Sequence, residues 1–237
     1  MAARAELLFG TYEFGLGAYY RYDTAERAMA TITGPLGDFD VFGEAMVSRG
    51  SAKTVVESIA VTTPYKVTYS TTSDHRDAYY FSASAGALYS SPKDYFTAIA
   101  QYYYNGEGYS DTSRSTLVEN ATTALALASS SHDAVSAAKL GAALAGLIYG
   151  SGQHYAAVSI SKSQLIGKYI SASAIGIANL SDGSGIVKPA VSWSPLDYLT
   201  LSVSPLFVFG PANGEYAYLA GGTKTSLLLS LTVSGSF

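Results

Sequence analysis

Cysteine is absent from the 237 residues, and only 14% of them are charged. Without cysteine the chain can form neither a disulfide framework nor a thiolate metal site. The scarcity of charge, together with 48% hydrophobic residues, argues against an intrinsically disordered protein. A formal net charge of -4 gives no reason to expect nucleic acid as a partner.

Long hydrophobic runs are also lacking. The best candidate, 140–149, is about half the length of the ~20 apolar residues that a membrane-spanning helix needs. A strand-like pattern follows Met1–Ala5 at once, without an apolar leader core, so we expect no signal peptide. A helical membrane protein is therefore not expected, but a transmembrane β-barrel is compatible, because its strands need only ~9–11 residues each.

The sequence does contain 20 tyrosines, 23 glycines and a repeated alternation of apolar with polar residues. Such alternation is typical of a β-strand, because successive side chains of a strand point to opposite faces. Ten segments show the pattern and predict ten strands. These segments are 12–23, 27–33, 38–48, 80–89, 96–104, 154–161, 169–180, 186–194, 198–210 and 226–237.

The connections between these segments alternate in length, which is typical of outer-membrane barrels. Short turns rich in Pro, Gly and Asp are predicted at 34–37, 91–94, 163–167 and 194–197. Longer loops are predicted at 49–77, 105–153 and 211–222, with shorter connections at 23–27 and 181–185. Within the longest loop, 133–149 has the composition of a short helix that begins after Asp133 and ends at Gly150. We expect this helix to pack over the barrel mouth or against a neighbouring subunit.

A soluble β-sandwich would also alternate, with its apolar face turned to a protein core. Two features favour lipid, and not a protein core, as the environment of the apolar face. The polar faces carry mostly Ser, Thr, Gly and Tyr, and aromatic residues occur at strand ends, where two girdles would meet the lipid headgroups. The girdle candidates are Tyr20, Tyr22, Tyr102, Tyr104, Phe207 and Phe209 near the long-loop end, and Tyr89, Phe96, Trp193 and Phe237 near the short-turn end.

The C-terminal segment 226–237 carries the most regular alternation and ends in an aromatic residue. It resembles the closing strand of bacterial outer-membrane β-barrel proteins, with matches at Leu229, Leu231, Val233 and Phe237. The resemblance implies that this strand is an assembly signal read by the barrel-insertion machinery, and that the chain resides in the lipid of the bacterial outer membrane. The segments 11–23, 37–50, 79–109 and 154–210 look like porin-type hairpins, so the likeness extends over most of the chain.

We therefore expect an all-β, antiparallel, up-and-down transmembrane barrel of about ten strands, forming a single domain over 1–237. Its interior would be intermediate between the filled ~8-stranded barrels and the open ~16-stranded porins. The charges expected to line this pore are Glu13, Arg21, Asp38, Asp40, Glu44 and Lys188. Opposed charges across a constriction select solutes by charge, so we expect a passive channel for small polar solutes, without a cofactor. The same charges are equally compatible with pairing that plugs the barrel.

Catalytic and metal sites have little support. His75, His132 and His154 lack metal-ligand spacing, so no metal site is predicted. The pairs Asp74–His75 and His132–Asp133 fall on long loops at the same mouth, where an Asp–His pair can activate water. Adjacent loop residues form no preset dyad, and we expect solvated side chains and no enzyme.

Three alternatives stay open. In the first alternative, the ten strands are the C-terminal part of a larger barrel, which the abrupt start favours. Alternatively, the protein is a surface hydrolase that uses the loop acids with His75 or His132. The third alternative is an adhesin or structural barrel with a closed lumen.

Overall fold

The computed structural model describes residues 1–22, 24–51, 53–70, 76–196, 199–219 and 225–235. These residues form thirteen strands and three helices. The strands are β1 (Ala2–Phe9), β2 (Tyr12–Tyr19), β3 (Glu26–Leu36), β4 (Phe39–Arg49), β5 (Val55–Ile59), β6 (Val67–Ser70), β7 (Tyr79–Ser91), β8 (Phe96–Tyr104), β9 (His154–Ile166), β10 (Ile170–Asn179), β11 (Ser184–Leu196), β12 (Leu199–Phe209) and β13 (Thr225–Gly235). The helices are α1 (Asp111–Ser130), α2 (Ala134–Ile148) and α3 (Glu215–Leu219).

Eleven of the strands form one antiparallel sheet in the order β1-β2-β3-β4-β7-β8-β9-β10-β11-β12-β13. Consecutive strands of this sheet are neighbours, which confirms the up-and-down antiparallel arrangement. The sheet has eleven strands where about ten were predicted, because β1 is an additional strand. Its sequence, Ala2–Phe9, consists mostly of Ala, Leu, Glu and Arg, which favour helices and conceal the alternation.

Closure of the sheet is not seen among the described residues. There, β1 pairs with β2 alone and β13 with β12 alone. Within the described ranges, each of the two edge strands therefore has a ladder partner on one side only. Because the sheet has eleven strands that alternate in direction, the two edge strands run the same way.

The connections confirm the predicted difference between the two ends of the sheet. At one end the turns are short, and those after β1 and β3 use Gly10 and Gly37 with φ of 63°, which favours glycine. The turn after β11 includes residues outside the described part of the chain. All the longer connections lie at the other end, which we call the loop end.

The two longest connections fold into a small unit above the loop end, which we call the cap. It consists of α1, α2 and the two-stranded sheet β5–β6. The cap contains the main apolar cluster of the described residues: Val56, Ile59, Leu117, Val118, Ala121, Ala124, Ala128, Leu140, Ala143, Leu144, Leu147 and Ile148. No helix among the described residues is long and apolar enough to cross a membrane.

The helix predicted at 133–149 is confirmed as α2, and Asp133 caps it by accepting a hydrogen bond from the Ser136 N–H at 3.0 Å. The same loop also holds the 20-residue α1, which the sequence does not predict. Serine and threonine are common in α1 and have modest helix propensity. Its buried face is made largely of alanine, so hydrophobic periodicity gives little signal.

Candidate functional site

The register of the ladder divides the eleven-stranded sheet into two chemically different faces. Residues directly opposite each other on neighbouring strands share a face. Following these pairs from β1 to β12 separates an uninterrupted apolar face from a mixed face, which we call the polar face because it carries most of the polar strand residues. The polar face carries Glu13, Gly15, Thr31, Thr33, Glu44, Ser84, Gln101, Ser159, Ser173, Lys188 and Ser192.

The apolar face is exposed over its whole width. It carries Leu16, Ala30, Ile32, Ala45, Val47, Ala83, Ala85, Ala100, Val158, Ala174, Val187, Val191 and Val203. Leu16, Phe81 and Val191 expose 54%, 50% and 51% of their surface, although they lie on three separate strands. No described element of the chain packs on this face as a second layer.

Aromatic rings border the apolar face at both ends. At the short-turn end, the Tyr89 ring lies 5.4 Å from that of Phe39 and 6.1 Å from that of Phe96. At the loop end, the Phe81 ring lies 6.4 Å from that of Tyr104, which lies 5.2 Å from His154. Phe81 and Tyr89 both belong to β7 and are separated by roughly 26 Å at the usual strand rise.

Most of the predicted girdle residues lie on this face. Tyr89, Phe96 and Trp193 are at the short-turn end, and Tyr102, Tyr104, Phe207 and Phe209 are at the loop end. Tyr20 and Tyr22 follow β2 and are exposed in the loop-end connection. Phe237 lies outside the described residues. The predicted assembly residues Leu229, Leu231 and Val233 are in β13, opposite Pro205, Val203 and Leu201, and their role stays a prediction.

Four of the six predicted pore-lining charges share the polar face. Glu13, Asp40, Glu44 and Lys188 occupy positions of this face on β2, β4 and β11. Arg21 lies in the connection after β2, and Asp38 lies in the turn between β3 and β4, so these two are not on a strand. The polar face also includes Arg4 and Glu6 of the unpredicted β1, which form an ion pair at 2.5 Å.

A buried ion pair joins the cap to the sheet. Arg114 of α1 is 2% exposed, and its Nη1 lies 3.0 Å from Oδ2 of Asp182, in the tight turn between β10 and β11. The Arg114 Nε–H donates to the Leu147 carbonyl at 3.0 Å and to the Ser151 hydroxyl at 2.9 Å. A charge removed from water needs such partners, because its desolvation costs several kcal/mol.

Glu215 of α3 extends this ion pair into a buried cluster that also includes Asn179 and Tyr155. Its carboxylate accepts hydrogen bonds from Asn179 Nδ2 at 2.9 Å, the Tyr155 hydroxyl at 3.0 Å and the Gly150 N–H at 3.1 Å. The Glu215 N–H donates in turn to Asp182 at 2.8 Å. Because Asn179 and Tyr155 belong to the polar face, the cluster fixes the cap and α3 to that side of the loop end.

Lys53 and Glu107 add further charge near the cluster. Burial lowers the pKa of Lys53, whereas the carboxylates of Glu107 and Glu215 raise it. The Lys53 ammonium also lies 5.8 Å from the centre of the Tyr109 ring. Together these groups make the junction between cap and sheet the main concentration of buried charge in the described residues.

Sequence reasoning did not identify this cluster. Arg114 occurs in a Ser/Thr-rich segment, and Asp182 reads locally as a residue of a hairpin turn. The two residues are far apart in the chain, and no spacing rule connects them. The one signal for this cluster would be a buried arginine on a helix face that otherwise carries no charge, and burial cannot be read from the sequence.

The Asp–His pairs do not form a catalytic arrangement in the described residues. Asp133 is engaged in capping α2, and His132 lies in the connection between α1 and α2. Asp74 and His75 lie outside the described residues. His154 accepts or donates a hydrogen bond with the Tyr102 hydroxyl at 2.6 Å and forms part of the loop-end aromatic border. No group of three or more metal-ligating side chains occurs within the described ranges.

Comparisons of the chain with protein-family models, with curated proteins and with solved structures give no match.

Proposed function

We propose that the protein is an outer-membrane β-barrel that acts as a passive channel for small polar solutes. The observation that carries this proposal is the uninterrupted apolar face, exposed across the sheet and bordered by aromatic rings at both ends. Lipid is the partner that such a face fits, because aromatic rings favour the level of the headgroups and small apolar residues favour the hydrocarbon between them.

The size of the apolar face supports lipid, and not water, as the environment of this face. At the usual spacing of strands, eleven strands span roughly 50 Å, and the band between the aromatic borders is roughly 26 Å high. Its area is therefore on the order of 1,300 Å², whereas the largest apolar patch on a soluble monomer is usually ~300–600 Å². A face of this size in water would drive aggregation.

A sheet in lipid also needs its edges to be paired. An unpaired backbone N–H or C=O in hydrocarbon costs several kcal/mol, and β1 and β13 each present a row of such groups. The proposal therefore requires that these edges pair with each other or with further strands. Pairing with each other would be parallel, because both strands run in the same direction.

The polar face would line the aqueous path. Ser, Thr, Gly and Ala are common on this face and leave room for water between larger residues such as Phe42 and Met46. Glu44 and Lys188 supply charges of opposite sign. The cap would lie over the outer opening, because it is fixed to the polar face at the loop end. We also propose that the C-terminal strand β13 is the segment that the barrel-insertion machinery recognises.

A closed structural or adhesin barrel is the second candidate function. It is favoured by the buried cluster of Arg114, Asp182 and Glu215, which holds the cap firmly against the sheet. A cap fixed in this way could block the opening permanently.

Conductance separates the two candidates. We expect the refolded protein to produce discrete current steps in planar lipid bilayers. Replacing Glu44 by Gln should shift the ion selectivity towards anions, and Lys188→Gln should shift it towards cations, because each change removes one charge from the aqueous path. The measurement is the reversal potential in a salt gradient.

Glu119→Gln is the matched control, because it removes the same charge from an exposed position on α1 of the cap. It should leave the reversal potential close to that of the unmodified protein. Absence of conductance from protein whose β-sheet signal is intact would favour the closed barrel. Equal selectivity in all four proteins would contradict the assignment of the polar face as the channel lining.

A further inference from the structure

A cavity of about 180 Å³ opens at the loop end, next to the boundary of the apolar face. It is formed by the connection between β2 and β3, the first residue of β3, the end of β4 and the segment before β7. Its charged lining residues are Arg21, Glu26, Arg49 and Arg76, and Tyr20 and Tyr22 contribute aromatic rings. The cavity is separate from the buried cluster that joins the cap to the sheet.

Arginine is the most frequent charged residue among the described lining residues. These include three arginines and the carboxylate of Glu26, and Arg49 also pairs with Asp77 through Nη2 at 2.8 Å. That pair uses one of the five N–H donors of the Arg49 guanidinium. Planar guanidinium groups bind phosphate through paired hydrogen bonds, and several of them around one cavity favour a phosphate group over a single carboxylate.

The register places this cavity at a defined height on the sheet. Val47 and Phe81 are opposite each other in the loop-end aromatic border of the apolar face. Arg49 and Tyr79 form the next pair on the same face, roughly 7 Å further towards the loop end. The arginines thus begin directly above the border at which the apolar surface ends.

We propose that this cavity binds the phosphate of a lipid headgroup. The inference rests on the proposed function, because only lipid contact with the apolar face brings headgroups to this height. The acyl chains of the bound lipid would lie along the apolar face below Arg49. The half-exposed Tyr20 ring and the exposed Tyr22 ring would lie beside the headgroup, where amphipathic aromatic residues are favoured.

The test is a calorimetric titration of the refolded protein in nonionic detergent with dihexanoyl phosphatidic acid, a short-chain lipid with an exposed phosphate. We expect saturable binding by the unmodified protein. The double variant Arg21→Gln/Arg76→Gln should bind about ten-fold or more weakly, because two guanidinium groups are lost. Both positions are exposed, so the variant should retain the β-sheet signal of the parent.

Lys93→Gln/Lys168→Gln is the matched control, because it removes two exposed positive charges from turns at the opposite end of the sheet. Its affinity should stay within about two-fold of the parent, as distant charges are screened. Equal weakening in both double variants would show that total charge, not the cavity, attracts the lipid, and would overturn the proposal. Absence of binding by the unmodified protein would overturn it as well.

A parallel titration with inorganic phosphate distinguishes the source of the phosphate. Binding of inorganic phosphate as tight as that of the lipid, weakened by the same variant, would overturn the lipid assignment in favour of free phosphate. Loss of lipid binding in a protein that still conducts would contradict only this site. Lipid binding by a folded protein without conductance would contradict only the channel.

Discussion

At the scale of the residue, Arg114 shows how a charge is kept away from water. It lies between α2, the segment after α2 and the β10–β11 turn, and each of these supplies an acceptor. A buried ion pair adds little net stability over an apolar pair of the same volume, but the loss of one partner leaves an uncompensated charge. Arg114 is therefore expected to be far less tolerant of substitution than any exposed arginine of the chain.

Arg114→Met should destabilise the docking of the cap by about 3–5 kcal/mol, because Asp182 would remain buried without its cation. Hydrogen exchange of the α1 and α2 amides should accelerate accordingly, while that of the central strands stays slow. Arg4→Met is the control, since its exposed ion pair with Glu6 should contribute about 1 kcal/mol or less. Unchanged exchange in Arg114→Met would show that the ion pair does not hold the cap.

At the scale of the element, the stability of α2 depends on its buried face and not on its length or its charges. Leu140, Leu144, Leu147 and Ile148 are buried against α1 and the β5–β6 pair. Val135 and Tyr149 lie on the opposite, exposed side of the helix. The apolar composition of α2 was visible in the sequence, but the side that is buried follows from the position of α1.

Leu147→Ala should destabilise the cap by about 2–5 kcal/mol, because Leu147 is 0% exposed and its removal leaves a cavity. Val135→Ala is the matched control at a position that is 67% exposed, and it should change the stability of the cap by at most about 0.5 kcal/mol. Limited proteolysis within α1 and α2 provides the measurement. If both variants are cleaved at the same rate, the cap does not pack through this face.

At the scale of the whole molecule, the apolar face and the unpaired edges of the sheet pose one physical problem. The apolar face is unfavourable in water and a bilayer would relieve it, whereas unpaired edges are unfavourable in the bilayer, where pairing of β1 with β13 would relieve them. The cap, by contrast, has its own buried apolar cluster, and the exposed positions of α1 are mostly polar. Under the proposed function, the sheet lies in lipid and the cap in solvent.

In buffer without detergent, we expect the purified protein to aggregate, and to enter the membrane fraction when phospholipid vesicles are added during refolding. Light scattering and flotation of the vesicles measure these two outcomes. The control is the same refolding in nonionic detergent, which should give a monodisperse species. A protein that stays monodisperse and β-rich in plain buffer would contradict lipid contact and, with it, the proposed channel.

What the sequence determined by itself is the division of each predicted strand into two faces. This holds because the alternation of side chains is a local property of an extended backbone, so the segments around Leu16, Val47 and Val203 could be assigned to a face one by one. The short turns followed from local signals such as Gly37, and α2 from Asp133 and its apolar run. The antiparallel neighbour order followed from the short connections.

What only the tertiary structure decided are the features that depend on distant parts of the chain. The pair of Arg114 with Asp182, the cluster around Glu215 and the cavity between Arg21, Arg49 and Arg76 each join separate connections at the loop end. Local sequence contains no signal for such contacts, because they arise when the sheet brings its loops together. For the same reason β1 was missed: its residues favour a helix by themselves and become a strand beside β2.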